Sequence, residues 1–335
     1  MPSFVGYKFN DMIDFIKAIK SYSDKDTINW HHLQHKASYD TGWSKYSLKG
    51  CRELDVWIHS INKLLRLEGS IAYYWHGHNY RFTKTDFREA MTHIGRLIGV
   101  DMWKAMVEVF EYGIVMPVEK KPKDYIRNHS ALPSEKLVMN EKPKDKGTFR
   151  WWEEKKDKWV ALKMYDVGKN IKQKQTKSMM VNLSELGWCP DEDYLKFEAQ
   201  YLKPDYLNKG KGLELGDLVN SDWDNVFKED LYVQYKRLLP MRSIIYPNNK
   251  KDLCTADILA LSYAEEVMKG GTTIEGLRKA LYARINSIPK EILSKQDKDA
   301  RKRQIKALLG KLKESEISEW DLSEKIQQVL CVDEE

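Results

Sequence analysis

At 335 residues, 42% hydrophobic and 32% charged, the chain is long enough for one large domain or two ordinary ones and too apolar to remain disordered. Short apolar runs, a start (Met1 to Lys8) without a basic leader or apolar core, and four scattered cysteines without a C-x-x-C pair argue against membrane insertion, secretion, a zinc knuckle or a disulfide framework, and fit reduced thiols in a cytoplasm. The net charge of +6 is uneven: residues 119–177 hold 17 Lys or Arg against 9 Asp or Glu, so the rest of the chain sums to −2.

In chain order, Met12, Phe15, Ile16 and Ile19 fall at helical spacing and predict a short amphipathic helix over 10–22. Between Glu53 and Trp75, Leu54, Val56 and Ile58 alternate with polar residues, and Leu65 and Leu67 lead on to Ile71, Tyr73 and Trp75. That spacing predicts two strands joined near Ser60-Ile61-Asn62. Thr83, with Asp86 three residues on, makes a capping-box pattern ahead of the stripe Phe87, Ala90, Met91, Ile94, Leu97 and Ile98, and so predicts a helix up to Gly99. A second short helix over 102–107 should lead into a strand from Val109 to Val118.

Residues 119–157 are rich in Lys and Pro with one helical patch, Lys123 to His129, and read as a long excursion from the sheet. Strand pattern resumes at Trp159 to Tyr165 and at Tyr194 to Tyr201. From Leu215 onward the pattern is helical: Leu218 to Leu231, Ile258 to Met268, Ile274 to Ile285, and a basic amphipathic stretch from Lys295 to Lys313. A break over 240–254 separates a region 1–240 from a helical region 255–335.

No Walker loop, G-x-G-x-x-G or G-x-S-x-G is present, so nucleotide hydrolysis and serine-hydrolase chemistry have no local support. Three other elements offer chemistry. His76 and His78 stand at i and i+2, which on a strand would share one face and one metal, although such a pair also serves as ordinary satisfied polar residues. Glu111 and Glu198 interrupt apolar strands, where a carboxylate facing the core needs a cation and one facing solvent needs nothing. Tyr165 ends a strand, followed by Gly168 and Lys169. A phenol can form a phosphotyrosine bond that conserves the energy of a cut phosphodiester, and Lys163 on the same strand face would favour its ionised form. Any single tyrosine can equally be packing.

The basic stretch carries aromatic residues, Phe149, Trp151, Trp152 and Trp159, the pairing of phosphate attraction and stacking surface found in nucleic-acid grooves. Lys142, Lys144, Lys146 and Arg150 are its predicted phosphate contacts, and Trp151 and Trp152 its predicted stacking platforms. A solvated, charged connector is the plain alternative.

The order of Arg66-Leu67-Glu68-Gly69-Ser70-Ile71, His78-Asn79-Tyr80, Phe110-Glu111-Tyr112-Gly113-Ile114, Met164-Tyr165-Asp166 and Lys196-Phe197-Glu198 resembles the gene II/X family of phage and plasmid replication proteins. The resemblance spans about residues 53–235. It departs from the family at Val167, where a lysine is usual, and at Gly77, where relaxase-type patterns place a large apolar residue.

The resemblance implies an α+β fold, a central mostly antiparallel sheet flanked by helices with a helical C-terminal region. It implies rolling-circle initiation: Mg²⁺ or Mn²⁺ held by His78 and Glu111, with His76 or Glu198, and Tyr165 nicking and rejoining one strand, with Lys163 or Lys169 as the cation. The implied partners are single-stranded or supercoiled origin DNA and a host helicase and polymerase, in the cytoplasm of a bacterial host. The competing class is a DNA-binding replication or copy-control factor without catalysis. A tyrosine recombinase is disfavoured, since no dispersed Arg-Lys-His-Arg pattern precedes a C-terminal tyrosine.

Overall fold

The computed structural model describes residues 11–23, 26–49, 53–132, 135–141, 148–154, 159–174, 183–240, 244–245, 274–310, 313–314 and 320–331; the helix expected over 258–268 and most of the 240–254 break lie outside them. The chain forms two units, one of residues 1–126, 136–237 and 323–335, the other of residues 127–135 and 238–322. Among the described residues no helix is long and apolar enough to cross a membrane.

The first unit has the expected α+β architecture. Its ten strands are β1 (Asp11–Ser21), β2 (Leu33–Ser38), β3 (Trp43–Leu48), β4 (Leu54–His59), β5 (Leu64–Ser70), β6 (Met106–Val118), β8 (Leu137–Asn140), β9 (Phe149–Glu154), β10 (Val160–Asp166) and β11 (Asp193–Tyr201). They make one antiparallel sheet in the order β2-β3-β4-β5-β1-β6-β11-β10-β9-β8. One face carries Phe110, Tyr112 and Phe197, which pack on Phe227 and Tyr235 of the helix Asp224–Lys236 at ring separations of 5.3–5.6 Å. The other face carries Glu111, Glu198, Lys163 and Tyr165, because side chains alternate along a strand.

Several expectations are corrected. The helix over 10–22 is strand β1, placed centrally between β5 and β6. A bulge at Asp14 and Phe15 places Ile13 opposite Tyr112 and Ile16 opposite Phe110, so two core residues three apart share one face and the period of two is broken into an apparently helical spacing. The hairpin of β4 and β5 forms as expected but stops at Ser70. There the Ser70 Oγ accepts from the Tyr73 N–H and starts helix α1 (Ile71–His76), which Gly77 ends at φ 74°, so Ile71, Tyr73 and Trp75 are helical.

Helix α2 (Lys84–Ile98) has its capping box at Thr83 and Asp86. The short helix over 102–107 is absent, since Val107 donates to Leu213 and Leu215 to Ala105, both at 2.8 Å, drawing this segment into strand pairing. The 119–157 stretch is only partly an excursion. It contains α3 (Pro122–Asn128), but β8 and β9 return to extend the sheet beside β10.

In the second unit, β7 (His129–Ala131) pairs with β12 (Leu238–Pro240) and β13 (Ile244–Ile245) with β14 (Lys313–Glu314). The helices Ile274–Ser287 and Lys295–Leu309 form a hairpin. The helix Ser323–Cys331, near the C-terminus, belongs to the first unit.

Two local devices set the register at the sheet centre. Ile13 faces Tyr112 and Ile16 faces Phe110, so Asp14 and Phe15 together oppose Glu111 in a β-bulge. Gly113 lies directly opposite Glu198, and a Cβ there would sit 2.4 Å from the Glu198 Cβ and 2.6 Å from the Phe197 carbonyl oxygen. Gly113→Ala should therefore push β6 from β11 and cost about 1–3 kcal/mol, read as a lower denaturation midpoint in urea. An unchanged midpoint would show that the strands separate without cost.

Candidate metal centre and its cleft

The sheet register builds the site as a lattice. Gly113, Glu198, Lys163 and Trp151 form one row across β6, β11, β10 and β9, and Val115, Lys196, Tyr165 and Phe149 form the next. Beside them the bulge sets Asp14 against Glu111. As a result Asp14, Glu111 and Glu198, all buried, each bring a carboxylate oxygen within 4.8 Å of the others, a set that can hold a metal ion.

Two ammonium groups interleave with the three carboxylates. Lys196 Nζ, fully buried, lies 2.8 Å from Asp14 Oδ2 and 2.7 Å from Glu198 Oε2. Lys163 Nζ donates to Glu111 Oε1 and lies 3.8 Å from Glu198 Oε1. Ser70 Oγ donates to Asp14 Oδ1, Gln200 Nε2 to Glu111 Oε1 at 2.7 Å, and Asn79 Nδ2 to Asp14 Oδ2 at 2.8 Å. The Tyr165 hydroxyl accepts from Asn79 Nδ2 at 2.9 Å and donates to Glu198 Oε2 at 3.4 Å.

Burial and charge act differently on each group. Burial disfavours ionised Asp14, but the Lys196 ammonium and the hydrogen bonds from Lys196, Ser70 and Asn79 outweigh it and hold the carboxyl below its ordinary value. Glu111 goes the other way. Burial and the neighbouring Glu198 charge push it up to about 7 against the pull of Lys163. Burial would lower both lysines, yet the carboxylates around them raise Lys163 and raise Lys196 strongly. Burial and the Glu198 charge hold the Tyr165 phenol well above its ordinary value, although Lys196 Nζ lies 5.6 Å from the ring centroid.

Asp14, Glu111, Glu198, Lys163 and Tyr165 line a cleft of about 360 Å³ together with Thr148, Phe149, Lys169, Asn170 and Gln173. The donor set fits a hard divalent cation, which prefers carboxylate and carbonyl oxygens. A further buried oxygen, Asn79 Oδ1, has no hydrogen-bond partner among the described residues, and Asn79 also lines the cleft. With all five ionised, three carboxylates and two ammoniums sum to −1; a divalent cation makes that +1, matched to one phosphodiester.

The structure thus brings together Glu111, Glu198, Lys163 and Tyr165 from the predicted residues, and adds Asp14, Lys196 and Asn79. It separates the histidines from them. His76 closes α1 instead of lying on a strand, and its Nε2 is 3.3 Å from Asp86 Oδ1. His78 is fully buried, its Nδ1 accepts from the Tyr80 N–H at 3.2 Å, and burial and His76 lower it to about 4. Lys163 serves Glu111 in place of the phenol, and Lys169 Nζ donates to Thr148 Oγ1 at 2.8 Å, so neither cation ionises Tyr165 as expected.

Trp152 is 0% exposed and offers no face to a base, whereas Trp151 is half-buried and donates to Glu153 at 2.8 Å. Arg150 is largely buried and donates to the Ile126 carbonyl at 2.8 Å, which takes it from the free phosphate contacts expected. Lys142, Lys144 and Lys146 lie outside the described residues. Asp14 is, like Glu111 and Glu198, an acid among apolar residues, but the signal counts only once its segment is recognised as a strand, and the bulge at Asp14 and Phe15 hides that.

Glu111 predicts a pH dependence. A carboxyl whose folded value is about 7 against an ordinary 4.5 favours the folded state below pH 4.5, and that contribution is lost as pH rises through 7. Between those limits the metal-free protein should lose on the order of 3 kcal/mol relative to Glu111→Gln, which does not titrate. Urea denaturation at pH 5 and pH 8 reads the difference; parallel pH profiles for the two proteins would refute the assignment.

Comparison of the chain with protein-family models, with curated proteins and with solved structures finds no match in any of the three.

Proposed function

We propose that this chain is a metal-dependent DNA strand-nicking protein, a rolling-circle replication initiator that cuts one strand of an origin with Tyr165. The observation that carries the reading is the Tyr165 hydroxyl 3.4 Å from Glu198 Oε2, beside three carboxylates whose oxygens lie within 4.8 Å of one another in a cleft. The motif resemblance supports the same reading. Asp14, Glu111 and Glu198 would hold a hard divalent cation, Mg²⁺ or Mn²⁺ on the motif resemblance, which would supply the charge that neutralises a bound phosphodiester.

The chain's own groups do the rest. Asn79 and the Glu198 carboxylate fix the phenol oxygen from two sides. The phenol is neutral at rest, so its proton must leave as its oxygen bonds to phosphorus, and Glu198 Oε2 is the acceptor at hand. The P–O3′ bond breaks, the 3′ oxygen takes up a proton, and the 5′ phosphate stays on Tyr165. The freed 3′ hydroxyl can prime a host polymerase, and reversal rejoins the strand.

One observation favours the second reading, a DNA-binding replication or copy-control factor without catalysis. Lys163 and Lys196 pair with the carboxylates and burial pushes Glu111 toward its neutral form, so the cluster can stand as a buried ion network without a metal. Nicking of supercoiled origin plasmid separates the two. With Mg²⁺ or Mn²⁺ the parent should nick and leave a covalent protein–DNA adduct; Tyr165→Phe should lose both and still bind DNA, and Glu198→Gln should slow nicking at least about a hundredfold. Nicking by metal-free protein in EDTA, or an adduct on Tyr165→Phe, would overturn the reading.

A further inference from the structure

Residues 274–310 of the second unit hold ten Lys or Arg against four Asp or Glu, a net of +6 that equals the charge of the whole chain. They form the hairpin of helices Ile274–Ser287 and Lys295–Leu309. Leu277 and Leu309 are buried, the Tyr282 hydroxyl donates to the Lys302 carbonyl at 3.1 Å, and Lys298 Nζ donates to the Asn286 carbonyl at 3.2 Å. Ser294 caps the second helix by accepting from the Asp297 N–H at 3.2 Å.

The positive charge is left uncompensated. Lys279, Arg284, Lys290, Lys295, Arg301, Arg303 and Lys306 are exposed, and among the described residues none of them pairs with a carboxylate. Among the described residues Arg301 donates to Gln304 and Arg303 to the Asp299 carbonyl, neither of them a carboxylate. The acids are largely engaged elsewhere: Glu275 holds Arg278 at 2.5 Å, Asp299 lies 3.8 Å from Lys302, and Asp297 accepts from Ser294. This differs from the sheet edge of the first unit, where Asp55 takes both Lys36 and Lys45 at 2.8 Å.

We propose that this helical hairpin is a binding surface for double-stranded DNA. A rigid array of unpaired cations complements a polyanion, and each phosphate contact releases condensed counterions. Single strands fit less well, because their recognition relies on aromatic stacking, and the only aromatic residue in 274–310 is Tyr282, whose hydroxyl is tied to Lys302. Lys295 and Lys306 are about 16 Å apart along the helix axis at 1.5 Å per residue, enough to reach phosphates on both sides of a major groove about 12 Å wide. The proposal does not depend on the nicking reading.

The test uses the full chain, a fluorescent 20-base-pair duplex of arbitrary sequence, and one of its strands alone, with anisotropy followed across a salt series. In Arg301→Gln, Arg303→Gln, Lys306→Gln combined, duplex affinity should fall at least tenfold. The slope of log affinity against log salt should drop by about 0.9 per lost contact. Single-strand affinity should change less than twofold and circular dichroism not at all. The proposal is overturned if the parent does not bind the duplex, if the duplex slope is unchanged in the variant, or if both ligands weaken equally. A protein that binds duplex in this way but never nicks would leave the hairpin assignment standing and remove only the catalytic one.

Discussion

Everything at the centre of the sheet follows from burying three carboxylates within 4.8 Å of one another. Each uncompensated ion out of water costs several kcal/mol, and like charges add to that cost. The chain meets it with two lysines from neighbouring strands, and it can do so only because the register is fixed. Lys163 sits opposite Glu198 and Tyr165 opposite Lys196, so a shift of one residue would turn the whole constellation to the other face. The bulge in β1 and the missing side chain at Gly113 are the local features that make this register possible. The apolar face, with Phe110, Tyr112 and Phe197 under the helix Asp224–Lys236, holds it in place.

Much of this was legible in the sequence, and the failures have physical causes. Strand β4 alternates in burial, and β11 sets Lys196, Glu198 and Gln200 between apolar neighbours although it is buried almost throughout, so these strands are legible, as is α2, whose capping box is a local hydrogen-bond device. Strand β1 reads as a helix because the bulge at Asp14 and Phe15 puts Ile13 and Ile16 on one face, a spacing of three instead of two, and Asp14 is hidden with it. The histidines were over-read, because an i, i+2 pair shares a face only on an extended chain, and Ser70 turns this chain helical just before them. Lys196 was missed for a different reason. A lysine in an apolar strand looks solvent-facing until its partners are known, and Asp14 comes from a residue 182 positions away.

Charge divides the labour between the two units. In the sheet of the first, several cations are spent on carboxylates: Lys163 and Lys196 in the cluster, Lys36 and Lys45 toward the sheet edge, Arg66 on Glu108 at 2.9 Å. On the helical hairpin of the second, Arg278 and Lys302 meet carboxylates, but among the described residues Lys279, Arg284, Lys290, Lys295, Arg301, Arg303 and Lys306 do not. On the proposed reading this is a separation of tasks. A cutting site must be selective for one phosphate and therefore balances its charge closely, whereas a holding surface needs only density and gains from leaving its cations unpaired.

The balance inside the cluster also decides which lysine can yield. Lys196 is fully buried and gripped by two carboxylates, so moving it would strand both acids. Lys163 keeps 18% of its side chain accessible and lines the cleft, and it bonds chiefly to Glu111, the carboxyl that burial already pushes toward its neutral form. On the nicking reading, a divalent cation that took over Glu111 would release Lys163 into the cleft and leave Lys196 to hold Asp14 and Glu198 in register. The freed ammonium would then face the space where a phosphodiester must lie. That gives Lys163 a role at the phosphate instead of at the phenol, and explains how a site that is net negative at rest can still bind an anion.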